Sequence, residues 1–167
     1  MITIRPLRPD DNFGDLIALS RVFFNEYEAY HEEFFKIDEL EDEDVTAYFT
    51  SFCNQVSRQA YIAIAEDQIV GYITVYVKEQ PDYWRIKKIG EISGLMVRHE
   101  YRQQGIGERL LAEAKAYFQA RGVNYYSVYT SVENQAGLEF YRKNGLKPLL
   151  ITMLGEAGNE ERIAYDR

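Results

Sequence analysis

The stretch Gly90–Leu111, GEISGLMVRHEYRQQGIGERLL, constrains the fold more tightly than any other part of the chain. Ile92, Leu95 and Val97 are strand formers interrupted by Gly94, a polar turn follows, and Gly105-Ile106-Gly107 opens an amphipathic helix. Ile106, Leu110, Leu111, Ala114, Tyr117 and Phe118 share one side of that helix, and Gly122 stands where a left-handed cap would end it. Tyr125–Val132 reads as a further strand. Strand, helix and strand in this order force a right-handed crossover, so two parallel strands lie side by side. The glycine turn then falls at the carboxyl end of the first, where ligands gather in sheets of this kind. A helix N-terminus there offers unpaired N–H groups and partial positive charge, and glycine lets an anion approach the backbone closely.

The remaining pattern supplies the rest of an α+β domain. Residues 2–5 form a first strand closed by Pro6 and Pro9. Asp10, Asp11 and Asn12 are N-cap candidates for a helix running to about Tyr30, with Leu16, Leu19, Phe23 and Tyr27 as its apolar stripe. A second helix, Asp44 to Gln59, is expected to bury Val45, Tyr48, Phe49, Phe52 and Val56, with Cys53 beside them as a small core residue. Ala60–Ala65 and Ile69–Lys78 read as an antiparallel hairpin across Glu66-Asp67-Gln68. Asn134 caps a short helix ending at Gly145, and Leu146–Leu154 with Arg162–Tyr165 reads as a last hairpin. With no repeat and no linker, residues 1–167 are expected to form one domain.

The formal charge of −8 is local in origin. Between Glu26 and Asp44 lie ten acids and a single base, Lys36, so that segment carries −9 and the remainder +1. Nucleic acid is a poor partner for such a surface, because phosphate neutralisation needs clustered bases. No apolar run approaches the roughly 20 residues of a membrane span, and Met1-Ile2-Thr3-Ile4-Arg5 does not begin a secretory signal. A cytoplasmic address and no membrane partner are the expectations. Cys53 is alone, and His31 and His99 lack metal-ligand company, so no metal site is expected.

Two motifs give the chain a family resemblance. Arg102-Gln103-Gln104-Gly105-Ile106-Gly107 has the form Arg/Gln-x-x-Gly-x-Gly/Ala, and Asn134-Gln135-Ala136-Gly137-Leu138-Glu139-Phe140-Tyr141 continues to Gly145-Leu146 as Asn-x-x-Ala-x-x-Phe-Tyr-x-x-x-Gly-Phe does. Together they resemble the GNAT acyltransferase superfamily over roughly residues 60–150. A Walker loop would need Gly-Lys-Ser/Thr where Gly107 is followed by Glu108, and a dinucleotide fingerprint would need glycine where Leu110 stands.

The resemblance implies a mixed central sheet of six or seven strands with about four flanking helices and splayed central parallel strands. It implies acetyl-CoA as co-substrate, its pyrophosphate held by the backbone from Arg102, Gln103 and Gln104 to Gly105, Ile106 and Gly107. The acyl arm would lie along Leu95, Met96 and Val97, with an N–H near Met96 or Val97 meeting the thioester oxygen. Gly94 suggests the bulge that would free such amides; packing of glycine under a helix is the alternative. Tyr141 matches the family's general acid to the leaving thiolate, and Asn134 would both cap its helix and touch the coenzyme arm. Glu91 lies eleven residues before Arg102, where histone-acetylating members carry a catalytic glutamate; pairing with Lys87 or Lys88 would explain it equally well. Arg142 and Lys143 could meet coenzyme phosphates or simply favour a helix C-terminus.

The acceptor implied is a primary amine, a cationic small molecule or a basic peptide, drawn by the acidic segment; that segment could equally be a solubilising loop. Tyr27, Tyr30, Phe34 and Phe35 interleave with its acids and suit a cation–π contact. Small members of the family often dimerise, so a homodimer is allowed. A catalytically silent acyl-CoA sensing module is the alternative function, and an acidic scaffold for a basic protein a third.

Overall fold

The computed structural model describes residues 1–158. Five strands and four helices follow in the order β1 (Thr3–Pro6), α1 (Phe13–Glu28), α2 (Asp42–Thr50), β2 (Arg58–Ala65), β3 (Gln68–Glu79), β4 (Lys88–Val97), α3 (Ile106–Gln119), β5 (Tyr126–Val128) and α4 (Gln135–Lys143). The sheet order is β1-β2-β3-β4-β5; the first four strands are antiparallel neighbours and β5 lies parallel to β4. The crossover through α3 thus places the two parallel strands together, as expected from the sequence.

Local signals set most boundaries. Among the three cap candidates, Asn12 caps α1, accepting from the Gly14 N–H at 3.0 Å. Asp11 instead pairs with Arg5 and accepts from the Arg8 N–H at 2.7 Å. Gly122 and Gly145, at φ +68° and +90°, close α3 and α4. At each end the residue after the glycine donates to a carbonyl five residues back, Val123 to Phe118 and Leu146 to Tyr141, both at 3.0 Å.

Each face of the sheet carries one core. Ile73, Val75, Ile92, Leu110, Leu111 and Phe118 pack on the α3 side. Leu16, Leu19, Phe49, Ile62, Tyr72 and Met96 pack on the side of α1 and α2. Ile92 and Met96 are both even-numbered residues of β4 yet face opposite cores, which a regular strand forbids. The cause is a bulge: Gly94 opposes Thr74 and Ile92 opposes Val75, leaving Ser93 as the extra residue.

Several expectations are corrected. Five strands, not six or seven, are present among the described residues. Leu146–Leu154 forms no strand, and Leu149, Leu150, Ile151 and Met153 are exposed; Arg162–Tyr165 lies outside the described residues. β5 is three residues long because it pairs with β4 only from Gly90 to Ile92. Helix α2 begins two residues early, where Asp42, Glu43 and Asp44 suit the positive end of the helix. It stops at Thr50, short of Gln59, as the chain turns through Asn54 at φ 57°. Val56 is consequently exposed, while Val45, Phe49, Phe52 and Cys53 are buried as expected. Tyr48 keeps its ring against Phe49 and Phe52 but is 41% exposed.

Candidate active site

Past Ile92 and Val128 the two parallel strands part, and a cleft of about 750 Å³ opens between them. The directions of the β4 amides follow from one bond. The Arg98 N–H donates to Val70 of β3 at 2.8 Å, so alternation turns the N–H groups of Met96 and Gly94 toward β3 and those of Leu95 and Val97 into the gap. The donors facing the cleft are therefore Leu95 and Val97. Met96, one of the two positions expected, sends its amide the other way while still lining the cleft.

The floor of the cleft is the turn into α3. Gly105 sits at φ +76° and Gln103 at φ +59°, which folds the backbone over the helix start. The first intrahelical bond runs from the Arg109 N–H to the Gly105 carbonyl at 3.1 Å. The N–H groups of Ile106, Gly107 and Glu108 precede it and point out of the helix end. A β-carbon on Gly107 would come within 3.1 Å of the Phe140 ring, so glycine is also what lets α4 close over this turn. The turn is tied down by its own side chains: Arg102 Nε donates to the Val97 carbonyl at 2.9 Å and Gln104 Nε2 to the Glu100 carbonyl at 3.0 Å.

Helix α4 supplies the opposite wall. Asn134 accepts from the Gly137 N–H and donates through Nδ2 to Thr130 Oγ1, both at 3.0 Å, joining the end of β5 to the helix start. Two turns on, Tyr141 faces the cleft, its ring edge-on to Phe140 at 5.2 Å. Burial pushes its phenol well above the ordinary value, and the nearby Tyr27 hydroxyl adds to the shift. Tyr141 is thus a protonated hydrogen-bond donor at any physiological pH.

The cleft brings together Leu95, Met96, Val97, Arg102, Gln103, Gly105, Ile106, Gly107, Asn134 and Tyr141. Gln104 and Glu91 are outside its lining. Glu91 sits two residues before the bulged Ser93, opposite Tyr76 of β3. Tyr76 is pushed up to about 12, by burial first and then by the Glu91 carboxylate beside it. Helix α1 and the turn after it add a further wall, of which the sequence singled out Tyr27 and Tyr30 but not the pairing of Glu26 with Arg102. Glu26 holds Arg102 at 2.7 Å, and Tyr27 and Tyr30 line the cleft next to it. Tyr27 was expected both in the apolar stripe of α1 and among the aromatics suited to a cationic acceptor; it stacks on Phe23 at 4.8 Å and also lines the cleft. Among the described residues no group of three His, Cys, Asp or Glu could hold a metal ion, and no helix is long and apolar enough to cross a membrane.

Comparison with known proteins agrees with this geometry. The profile of the acetyltransferase (GNAT) family matches residues 22–146, and the chain belongs to that family. A spermidine N(1)-acetyltransferase of Thermoplasma acidophilum is 29% identical over 85 residues, 51% of this chain and 48% of that protein. The chain thus spans about half the length of that relative. A Bacillus halodurans protein superposes with a TM-score of 0.82 at 18% identity, over 92% of this chain and 98% of the other. An aminoglycoside acetyltransferase from an uncultured soil metagenomic sample gives 0.66 at 25% identity, over 93% and 95% of the two chains.

Proposed function

We propose that the chain is an N-acetyltransferase that moves the acetyl group of acetyl-CoA to a primary amine by direct attack in a ternary complex. The observation that carries this reading is the parting of β4 from β5 after Ile92. It leaves the Leu95 and Val97 amides facing a cleft whose floor is the open N-terminus of α3 and whose far wall is Tyr141.

Acetyl-CoA supplies an activated acyl carbon and a thiol leaving group. The unpaired amides of Ile106, Gly107 and Glu108 are suited to a diphosphate. The Leu95 and Val97 N–H groups would meet the acyl arm and the carbonyl oxygen, which gains negative charge as the amine adds; donors fixed in a sheet need no reorganisation to stabilise it. Tyr141 protonates the departing thiolate. Burial makes the phenol a weaker acid than a free tyrosine, so its donation to a thiolate of pKa about 8.5 depends on geometry that sets the hydroxyl against the sulfur. Glu91 is the sink for the amine proton, reached along the strand past Ser93.

The acceptor class follows from charge. Acids crowd the chain from Glu26 to Asp44, and Tyr27 and Tyr30 at the start of that segment line the cleft. A small cationic amine, such as a polyamine or an aminoglycoside, or a basic peptide is the acceptor this favours. The curated relative acting on spermidine and the structural neighbour named for aminoglycosides support the same class.

The test is a thiol-release screen with acetyl-CoA over polyamines, aminoglycosides, amino acids and basic peptides. Release with a cationic amine is the expected result. Thermal stabilisation by acetyl-CoA with no release across the panel would replace this reading by that of an acyl-CoA sensing module.

A further inference from the structure

The β4 bulge carries a group of hydroxyls that acyl transfer as described above leaves unused. Thr74, fully buried on β3, lies 3.0 Å from the Tyr48 hydroxyl of α2 and 2.9 Å from the hydroxyl of Ser93. Tyr48 and Ser93 are themselves 3.1 Å apart. Ser93 lines the cleft, and Tyr48 is 41% exposed.

Proton accounting gives this group a direction. A hydroxyl has one hydrogen and two lone pairs. The Thr74 hydrogen is aimed at the Gly94 carbonyl, 3.5 Å away, and both its lone pairs are then free for Tyr48 and Ser93. With the Thr74 hydrogen on Gly94, Tyr48 is the donor of its 3.0 Å contact, and the Ser93 hydrogen has two acceptors on Thr74, the hydroxyl at 2.9 Å and the backbone carbonyl at 3.3 Å, so both outer hydroxyls donate inward. Two oxygens 3.1 Å apart then present only lone pairs to the outside, a contact between like dipoles that a shared donor would relieve. Such a pair accepts N–H groups.

Resting on acyl transfer as the function, we infer that Tyr48 and Ser93 form the seat of the acceptor amine and select a primary amine. An arriving ammonium has three N–H donors. With one proton lost to the Glu91 carboxylate, the nitrogen keeps two N–H groups for the two oxygens, and its lone pair points away from them, into the cleft. The C–N bond then forms as the C–S bond breaks, the thiolate takes its proton from Tyr141, and the second proton lost from the acylated nitrogen returns to the phenolate. A secondary amine keeps one N–H after deprotonation and leaves one oxygen without a partner, so its lone pair is not fixed. Thr74 touches no substrate and is a positioning residue.

The experiment uses Tyr48→Phe, Ser93→Ala and the conservative Ser93→Thr, with spermidine as probe. Calorimetry of spermidine into protein saturated with coenzyme A reads the seat without turnover. Removing one hydroxyl that accepts from an ammonium is expected to weaken spermidine about tenfold. Affinity for coenzyme A should stay within about twofold, and Ser93→Thr should restore binding. Three results would overturn the inference: no spermidine heat in the unmodified complex, unchanged spermidine affinity in both deletion variants, or an equal loss of coenzyme affinity. If thiol release with spermidine persists while both variants keep its KM, the seat is refuted and acyl transfer stands. If binding follows the two hydroxyls but no thiol is ever released, the seat stands and acyl transfer falls.

Discussion

Replacing Tyr141 by phenylalanine removes a single oxygen from the far wall of the cleft. The ring itself is held edge-on against Phe140 at 5.2 Å, and phenylalanine keeps that contact. Folding should therefore be nearly unaffected. What is lost is the proton donor of the proposed mechanism. General acid catalysis of this kind contributes about 10²–10⁴ in rate, and the lower end corresponds to about 2.7 kcal/mol of activation free energy. The pH dependence has a definite sign. Burial raises the folded-state pKa of Tyr141, so the group stays protonated across the neutral and mildly alkaline range. The native enzyme should then show no alkaline fall in turnover assignable to this residue below the ordinary tyrosine value of about 10. Steady-state thiol release at saturating acetyl-CoA separates turnover from coenzyme affinity. A drop of about 100-fold in kcat with the KM for acetyl-CoA within twofold is expected. Equal losses in kcat and in coenzyme affinity, or a change in kcat below about threefold, would refute the role of the phenol.

Two further predictions concern the frame that holds the cleft. At Gly90 a β-carbon would lie 2.5 Å from the Phe118 ring, so Gly90→Ala should overpack the seam between β4 and α3; a stability loss of about 1–3 kcal/mol in urea unfolding is expected, and an unchanged midpoint would contradict that packing. The Arg5 guanidinium, by hydrogen bond first, holds Asp11 below its usual value against the opposing effect of burial. A depressed folded-state pKa means stability that is present above the ordinary aspartate value and lost as pH falls through the folded one. The melting temperature of Asp11→Asn should therefore sit below that of the unmodified chain at neutral pH, with the gap closing below about pH 4; a gap that persists at acid pH would show that the pair does not titrate.

What the sequence made legible was chiefly local. Asn12 and Asn134 as caps, Gly122 and Gly145 as stops, and the strand–turn–helix at Gly105 each depend on a few neighbouring residues, and each lies where the pattern placed it. The bulge beside Gly94 was suggested by an interrupted strand, but its consequence was not. An extra residue at Ser93 reverses which side of β4 each later residue faces, so the facing of Leu95, Met96 and Val97 could not be obtained by counting from Glu91. Nonlocal pairing explains the other departures. Leu146–Leu154 has the composition of a strand, yet a strand exists only with a partner, and none pairs with it among the described residues. Tyr48 fits the apolar stripe of α2 by spacing, but its hydroxyl is drawn to Thr74 and Ser93 on strands 26 and 45 residues away in sequence. The Arg102–Glu26 pair, 76 residues apart, was beyond any local pattern.

A crystal of the chain grown with coenzyme A offers the most direct test of the cleft between β4 and β5 as the coenzyme site. Pyrophosphate oxygens should lie within about 2.7–3.2 Å of the N–H groups at the start of α3, with the thiol end beside Val97 and within reach of the Tyr141 hydroxyl. Coenzyme density anywhere else on the molecule, or a diphosphate held by side chains alone with those amides facing solvent, would contradict the site described here.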